Sequence, residues 1–146
     1  MIDLDNQTDL NFELSKLEQI AKALSSKEVE LLIVDDETIE ALNTEHRGKA
    51  STTDVLSFPL DAPFTEQSIF GIPLGSIIIA SSFVKTKAVE FGHSEQDELS
   101  LLFIHGMLHL LGFDHETDEG KMRVRENELI EQFDLPKSLI VRTEEN

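Results

Sequence analysis

Apolar and polar residues fall along this chain in blocks, and the period of each block predicts an element. Residues 2–5 suit an edge strand, and Phe12, Leu17, Ile20, Ala21 and Leu24 recur near helical spacing over 12–24. Glu28 to Val34 is a compact apolar run that reads as a strand, and Asp35 and Asp36 behind it can cap a short helix through Leu42. Thr53 to Phe58 is β-branched and aromatic, and Pro59 stops it. Residues 60–73 hold Pro63, Gly71 and Pro73 and read as a loop. Leu74 to Ala80, with Ile77, Ile78 and Ile79, is the strongest strand signal; residues 81–91 return to helical spacing, and Gly92 ends them.

Ser94 then opens a central helix. Asp97 stands three residues on, so the start resembles a capping box with Asp in the place of Glu or Gln. Leu99, Leu101, Leu102, Phe103, Ile104, Met107, Leu108, Leu110 and Leu111 make this helix apolar nearly all round, the mark of a buried helix. Gly112 is placed to cap its C-terminus. A last helix is predicted over 117–132, and an acidic, frayed tail from Arg142. The expected fold is α/β (α+β): a small mixed β-sheet covered by helices around a central buried helix, all in one domain over residues 1–146.

Composition narrows the chemistry. At 146 residues and 40% apolar content the chain suits one soluble globular domain. The opening MIDLDNQTDLNF is acidic without an apolar run, unlike a signal peptide, and Leu99 to Leu111 is too short to cross a bilayer, so a cytoplasmic protein is expected. There is no cysteine, so a zinc site would have to use nitrogen and oxygen ligands. There is no Trp or Tyr, which weakens any case for reading RNA by base stacking. The formal net charge of −17 argues against coating nucleic acid by bulk attraction. Basic residues nonetheless cluster at Arg47 and Lys49, at Lys85 and Lys87, and at Lys121, Arg123 and Arg125, either as local basic sites or as ordinary solvated faces.

The chemistry concentrates in His105-Gly106-Met107-Leu108-His109-Leu110-Leu111-Gly112-Phe113-Asp114-His115. His105 and His109 are four apart on the predicted helix and share a face. Gly112 can turn the chain sharply and bring His115 back over that face. Three unrelated core histidines are the bland alternative, but burying two unpaired imidazoles is costly. The spacing is H-x3-H-x2-G-x2-H, which is metzincin-like, except that Gly106 stands where those proteases carry their general-base Glu. Glycine inside a helix costs about 1 kcal/mol relative to alanine, so something is expected to pass close to Gly106, and space for a bulky substrate is one reading. Three protein ligands leave a position for water, the arrangement of a catalytic zinc site. Asp114, next to His115, suits a supporting or capping role better than a fourth ligand.

These residues resemble the H-G-x-L-H-L-x-G-[YF]-D-H signature of the YbeY family of bacterial endoribonucleases. Leu42-Asn43 with Arg47, and Thr53-Asp54-Val55-Leu56-Ser57-Phe58-Pro59, are similar to a second block of that family; Gly75 to Ile79 and Glu98 are similar to a third and a fourth. One departure is Ser76, where the family usually carries Asp. The resemblance implies one Zn2+ held by His105, His109 and His115, with His105 and Arg47 as catalytic residues. It also implies a small α/β sandwich that cuts single-stranded RNA in small-subunit ribosomal RNA maturation and ribosome quality control. Chemically, Arg47 offers planar, permanently charged donors for phosphate oxygens; a structural ion pair, for instance with Asp54, is the alternative. Arg47 is expected on a loop between a helix end and the Thr53 strand. His46 and His93 are expected at the surface. Glu98, seven residues before His105, either orients a ligand or forms a helix-face salt bridge.

The expected partners are single-stranded RNA and a ribosomal or assembly protein, with neither a membrane nor DNA. Two rival readings remain. One is a zinc peptidase, which the absent Glu opposes. The other is a non-catalytic, zinc-containing assembly factor, which the acidity favours.

Overall fold

The computed structural model describes residues 2–47, 55–59, 74–113 and 120–136. Among these, strands β1 (Ile2–Asn6), β2 (Val29–Val34), β3 (Val55–Pro59) and β4 (Gly75–Ala80) form one sheet in the order β1-β2-β4-β3. β1 runs parallel to β2 and β2 to β4, whereas β3 is antiparallel to β4. Five helices accompany them: α1 (Leu14–Leu24), α2 (Asp36–Arg47), α3 (Ser81–Phe91), α4 (Glu95–Leu110) and α5 (Lys121–Gln132). The expected mixed sheet covered by helices is therefore observed. None of the helices among the described residues is long and apolar enough to cross a membrane.

The sheet is buried on both faces, which explains why β2 and β4 read as continuous apolar runs rather than alternating ones. On one face Val29, Leu31, Ile33, Ile77 and Ile79 join the larger core with Leu17, Ile20, Leu102 and Phe103. On the other, Val34, Leu56, Ile78 and Ala80 pack with Ile39 of α2. α4 lies against β3 and β4 and is flanked by α1, α3 and α5. Eleven of its sixteen residues are buried, Phe103 and Ile104 completely.

The ends of the elements follow local chemistry. Ser94 Oγ accepts the Asp97 amide at 3.0 Å, the Ser half of the expected capping box. α2 is capped by Asp35, whose Oδ1 accepts the Thr38 amide at 2.8 Å. α2 continues to Arg47 rather than stopping near Leu42. Leu42 packs against the second core and Asn43 is buried, so tertiary contact carries the helix past the apolar pattern that suggested its end. Arg47 is accordingly the last residue of a helix, not part of a loop. α5 begins at Lys121, after Gly120 in the left-handed region; residues 117–119, the loop over 60–73 and the tail from Arg142 lie outside the described residues.

The Thr38 hydroxyl and amide hold the Asp35 carboxyl below its usual pKa. A carboxyl depressed on folding contributes stability above its unfolded pKa and loses it as pH falls through the lower folded value. Asp35→Ala should therefore lower the thermal midpoint at neutral pH, and the gap to wild type should close in acid. A gap independent of pH would show that the carboxylate is not what caps α2.

Candidate metal centre

His105 and His109 lie on α4 where it meets α5 and its own C-terminal turn. The turn is built by Gly112, whose φ of +98° belongs to the left-handed region. The Phe113 amide donates to the Leu108 carbonyl and the Gly112 amide to the His109 carbonyl, both at 3.0 Å. This is the paired bonding of a Schellman end. Gly112 thus ends the helix as expected. The turn also folds the Phe113 carbonyl back onto His109, whose Nδ1 lies 3.1 Å from that oxygen. His105 Nδ1 faces Glu126 Oε2 of α5 at 3.4 Å, and the Glu126 side chain is fully buried.

These partners favour one tautomer in each ring. A backbone carbonyl and a carboxylate only accept, so each Nδ1 carries the hydrogen. In a neutral ring with its hydrogen on Nδ1, Nε2 holds the lone pair. The two Nε2 atoms nevertheless meet at 3.2 Å, with the rings edge to face and their centroids 4.7 Å apart. Two lone pairs at that distance repel unless a metal ion or a proton lies between them. Two imidazole nitrogens on one tetrahedral zinc, each about 2.0–2.1 Å from it, stand about 3.3 Å apart. The spacing of the pair therefore fits a shared metal.

No group of three or more His, Cys, Asp or Glu is gathered for a metal among the described residues. The expected third histidine, His115, and its neighbour Asp114 lie outside them, as do Asp54, Lys49 and the side chain of Arg47. Glu126 is the residue that reading the sequence missed. It sits 21 positions beyond His105 on another helix, and only the α4–α5 packing brings them together.

Two expectations need correction. The neighbour that demands glycine at position 106 is Ile77 of β4, not open space for a substrate: a Cβ there would stand 2.9 Å from Ile77 Cγ2. The Gly106 carbonyl also accepts the Ser57 hydroxyl of β3 at 3.3 Å, so this residue seats α4 on the sheet. Gly106→Ala should gain about 1 kcal/mol of helix propensity but lose about 1–3 kcal/mol to overpacking. Urea unfolding should show net destabilisation in wild type, and net stabilisation once Ile77→Ala removes the obstacle. A gain in both backgrounds would contradict this packing account.

His93 is not at the surface. The left-handed Gly92 turn folds it under α4, leaving its side chain 10% exposed with Nε2 2.7 Å from Glu98 Oε1. Glu98 is fully buried, and through His93 it ties the end of α3 to the start of α4. In the basic clusters, where local sites and solvated faces were both open, some cations meet surface acids, as on a solvated face. Lys85 Nζ lies 2.9 Å from Asp9, Lys87 Nζ 3.0 Å from Glu90, and Arg125 Nη1 3.4 Å from Glu128.

The Ser76 departure has a local explanation: its hydroxyl donates to Glu30 Oε1 at 2.8 Å, so β2 supplies a carboxylate beside that position.

A family model described as Endoribonuclease YbeY matches residues 3–134. The chain belongs to the YbeY family. Among its YbeY relatives, one from Sulfurovum sp. (strain NBC37-1) is 60% identical over 144 residues, covering 99% of this chain and 98% of the relative. One from Nautilia profundicola is 53% identical over 145 residues, covering 99% of this chain and the whole of the relative. Both carry the name Endoribonuclease YbeY. The fold is shared by the solution structure of a Thermotoga maritima protein, 28% identical, with a TM-score of 0.59 over 91% of this chain and 89% of that one.

Proposed function

We propose that this YbeY-family chain is a zinc-dependent endoribonuclease that cuts single-stranded RNA during small-subunit ribosomal RNA maturation and quality control, its whole length acting as one cytoplasmic domain. The endoribonuclease activity follows from the family. One observation above all supports the metal: two histidines whose Nδ1 atoms face acceptors turn their Nε2 atoms toward each other at 3.2 Å, the spacing of two ligands on one ion.

In this reading His105, His109 and His115 hold the ion, in a metzincin-like H-x3-H-x2-G-x2-H frame without that family's Glu. Bound zinc would supply Lewis-acid polarisation of a phosphoryl oxygen and a water of lowered pKa. The protein does the rest. α4, seated on β3 and β4 through Gly106, keeps both rings at fixed spacing. The Phe113 carbonyl fixes the orientation of His109. Arg47 donates in the plane of its guanidinium to phosphate oxygens and offsets the charge that grows at phosphorus. The −17 net charge supports weak intrinsic RNA affinity, with a ribosomal or assembly protein delivering the substrate.

The purified protein should cut an unstructured RNA oligonucleotide and leave an unfolded protein substrate intact. Cleavage of the protein but not the RNA would support the peptidase. Cleavage of neither, by folded metal-loaded protein with its partner present, would support the assembly factor.

A further inference from the structure

Glu126 has the burial and position of a residue that acts through His105. Its carboxylate is completely buried, a costly arrangement for a charge unless polar groups answer it. It comes from α5, an element outside the metal motif. α5 buries Met122 and Leu129 as well as Glu126, three and four residues to either side, so its placement is held by the main core rather than by the site. The two histidines are thus oriented by different chemistry. His109 leans on a neutral main-chain carbonyl, and His105 on a carboxylate. The distance of 3.4 Å is long for a charge-assisted hydrogen bond.

We propose that Glu126 is a positioning residue: through Nδ1 it holds the His105 ring in the tautomer that turns a bare Nε2 toward His109, and its charge makes that nitrogen the stronger donor to a cation. The second half rests on the proposed metal centre; the first does not. Orienting carboxylates behind a metal-bound histidine carry about 10–100-fold in metal affinity. Core packing alone would affect the folding midpoint and not the tautomer.

The test is nitrogen NMR of the histidine side chains in metal-free full-length protein, at a pH where the rings are neutral, beside zinc affinity by competition with a chelator. Wild type should show His105 protonated at Nδ1. Glu126→Gln keeps an oxygen acceptor and should keep that tautomer with weaker zinc binding; Glu126→Ala should scramble the tautomer of His105 but not of His109. Zinc affinity should fall about 10–100-fold in the alanine variant and less in the glutamine variant. Nε2 protonation of His105 in the wild type would overturn the positioning role without recourse to any variant. An unchanged tautomer in a folded Glu126→Ala protein would overturn it too. A tautomer that responds as stated while wild type binds no zinc would leave the positioning role standing and refute the metal centre instead.

Discussion

Replacing His109 with alanine is expected to abolish stoichiometric zinc binding and to lower cleavage of single-stranded RNA by more than about 100-fold, beyond the 10–100-fold that loss of a partner behind a ligand costs. The fold should survive. The substitution removes the hydrogen bond to the Phe113 carbonyl, worth about 0.5–1.5 kcal/mol. The clearest signature is therefore a difference in response. Zinc at a hundred times its Kd stabilises a protein with one site by about 2.7 kcal/mol. Wild type should show that rise in thermal midpoint and the variant should not. A variant stabilised as strongly as wild type would mean that His109 is not a ligand.

Replacing Arg47 with alanine is expected to cost about 100- to 1,000-fold in kcat, the range for losing one preorganised donor at a developing oxyanion, while zinc content and thermal midpoint stay near wild type. Arg47 closes α2, the helix over the face of the sheet opposite α4. It belongs to neither His105's helix nor the α5 helix that supports it, so its loss should separate chemistry from metal binding. Arg47→Lys keeps the charge and loses the planar pair of donors, and should fall between the two. If Arg47 instead served a structural ion pair with Asp54, Asp54→Asn would reproduce the defect and both variants would melt early.

Most of the fold was legible because its signals are local. The isoleucine run of β4, the buried character of α4, the Ser94 cap and the Gly92 and Gly112 turns all follow from residues close in sequence. The histidine pair was legible for the same reason, since a separation of four on a helix fixes a shared face. What failed depended on contacts between distant segments. Gly106 was read against a substrate because nothing in the sequence reveals that Ile77 lies beneath it. His93 looked like a surface residue because its partner is a carboxylate buried on the next helix, toward which the Gly92 turn folds it. Glu126 looks like any other acid on an amphipathic helix; only packing distinguishes it from Glu128, which is exposed and pairs with Arg125.

The most direct test of the metal centre is to strip the purified protein with a chelator, remove the chelator, and follow cleavage of a single-stranded RNA as zinc is returned. The account predicts no cleavage at the start, a linear recovery that breaks at one zinc per chain, and no recovery in the His109→Ala protein. Full cleavage by the stripped protein, or recovery in the His109 variant equal to wild type, would contradict it.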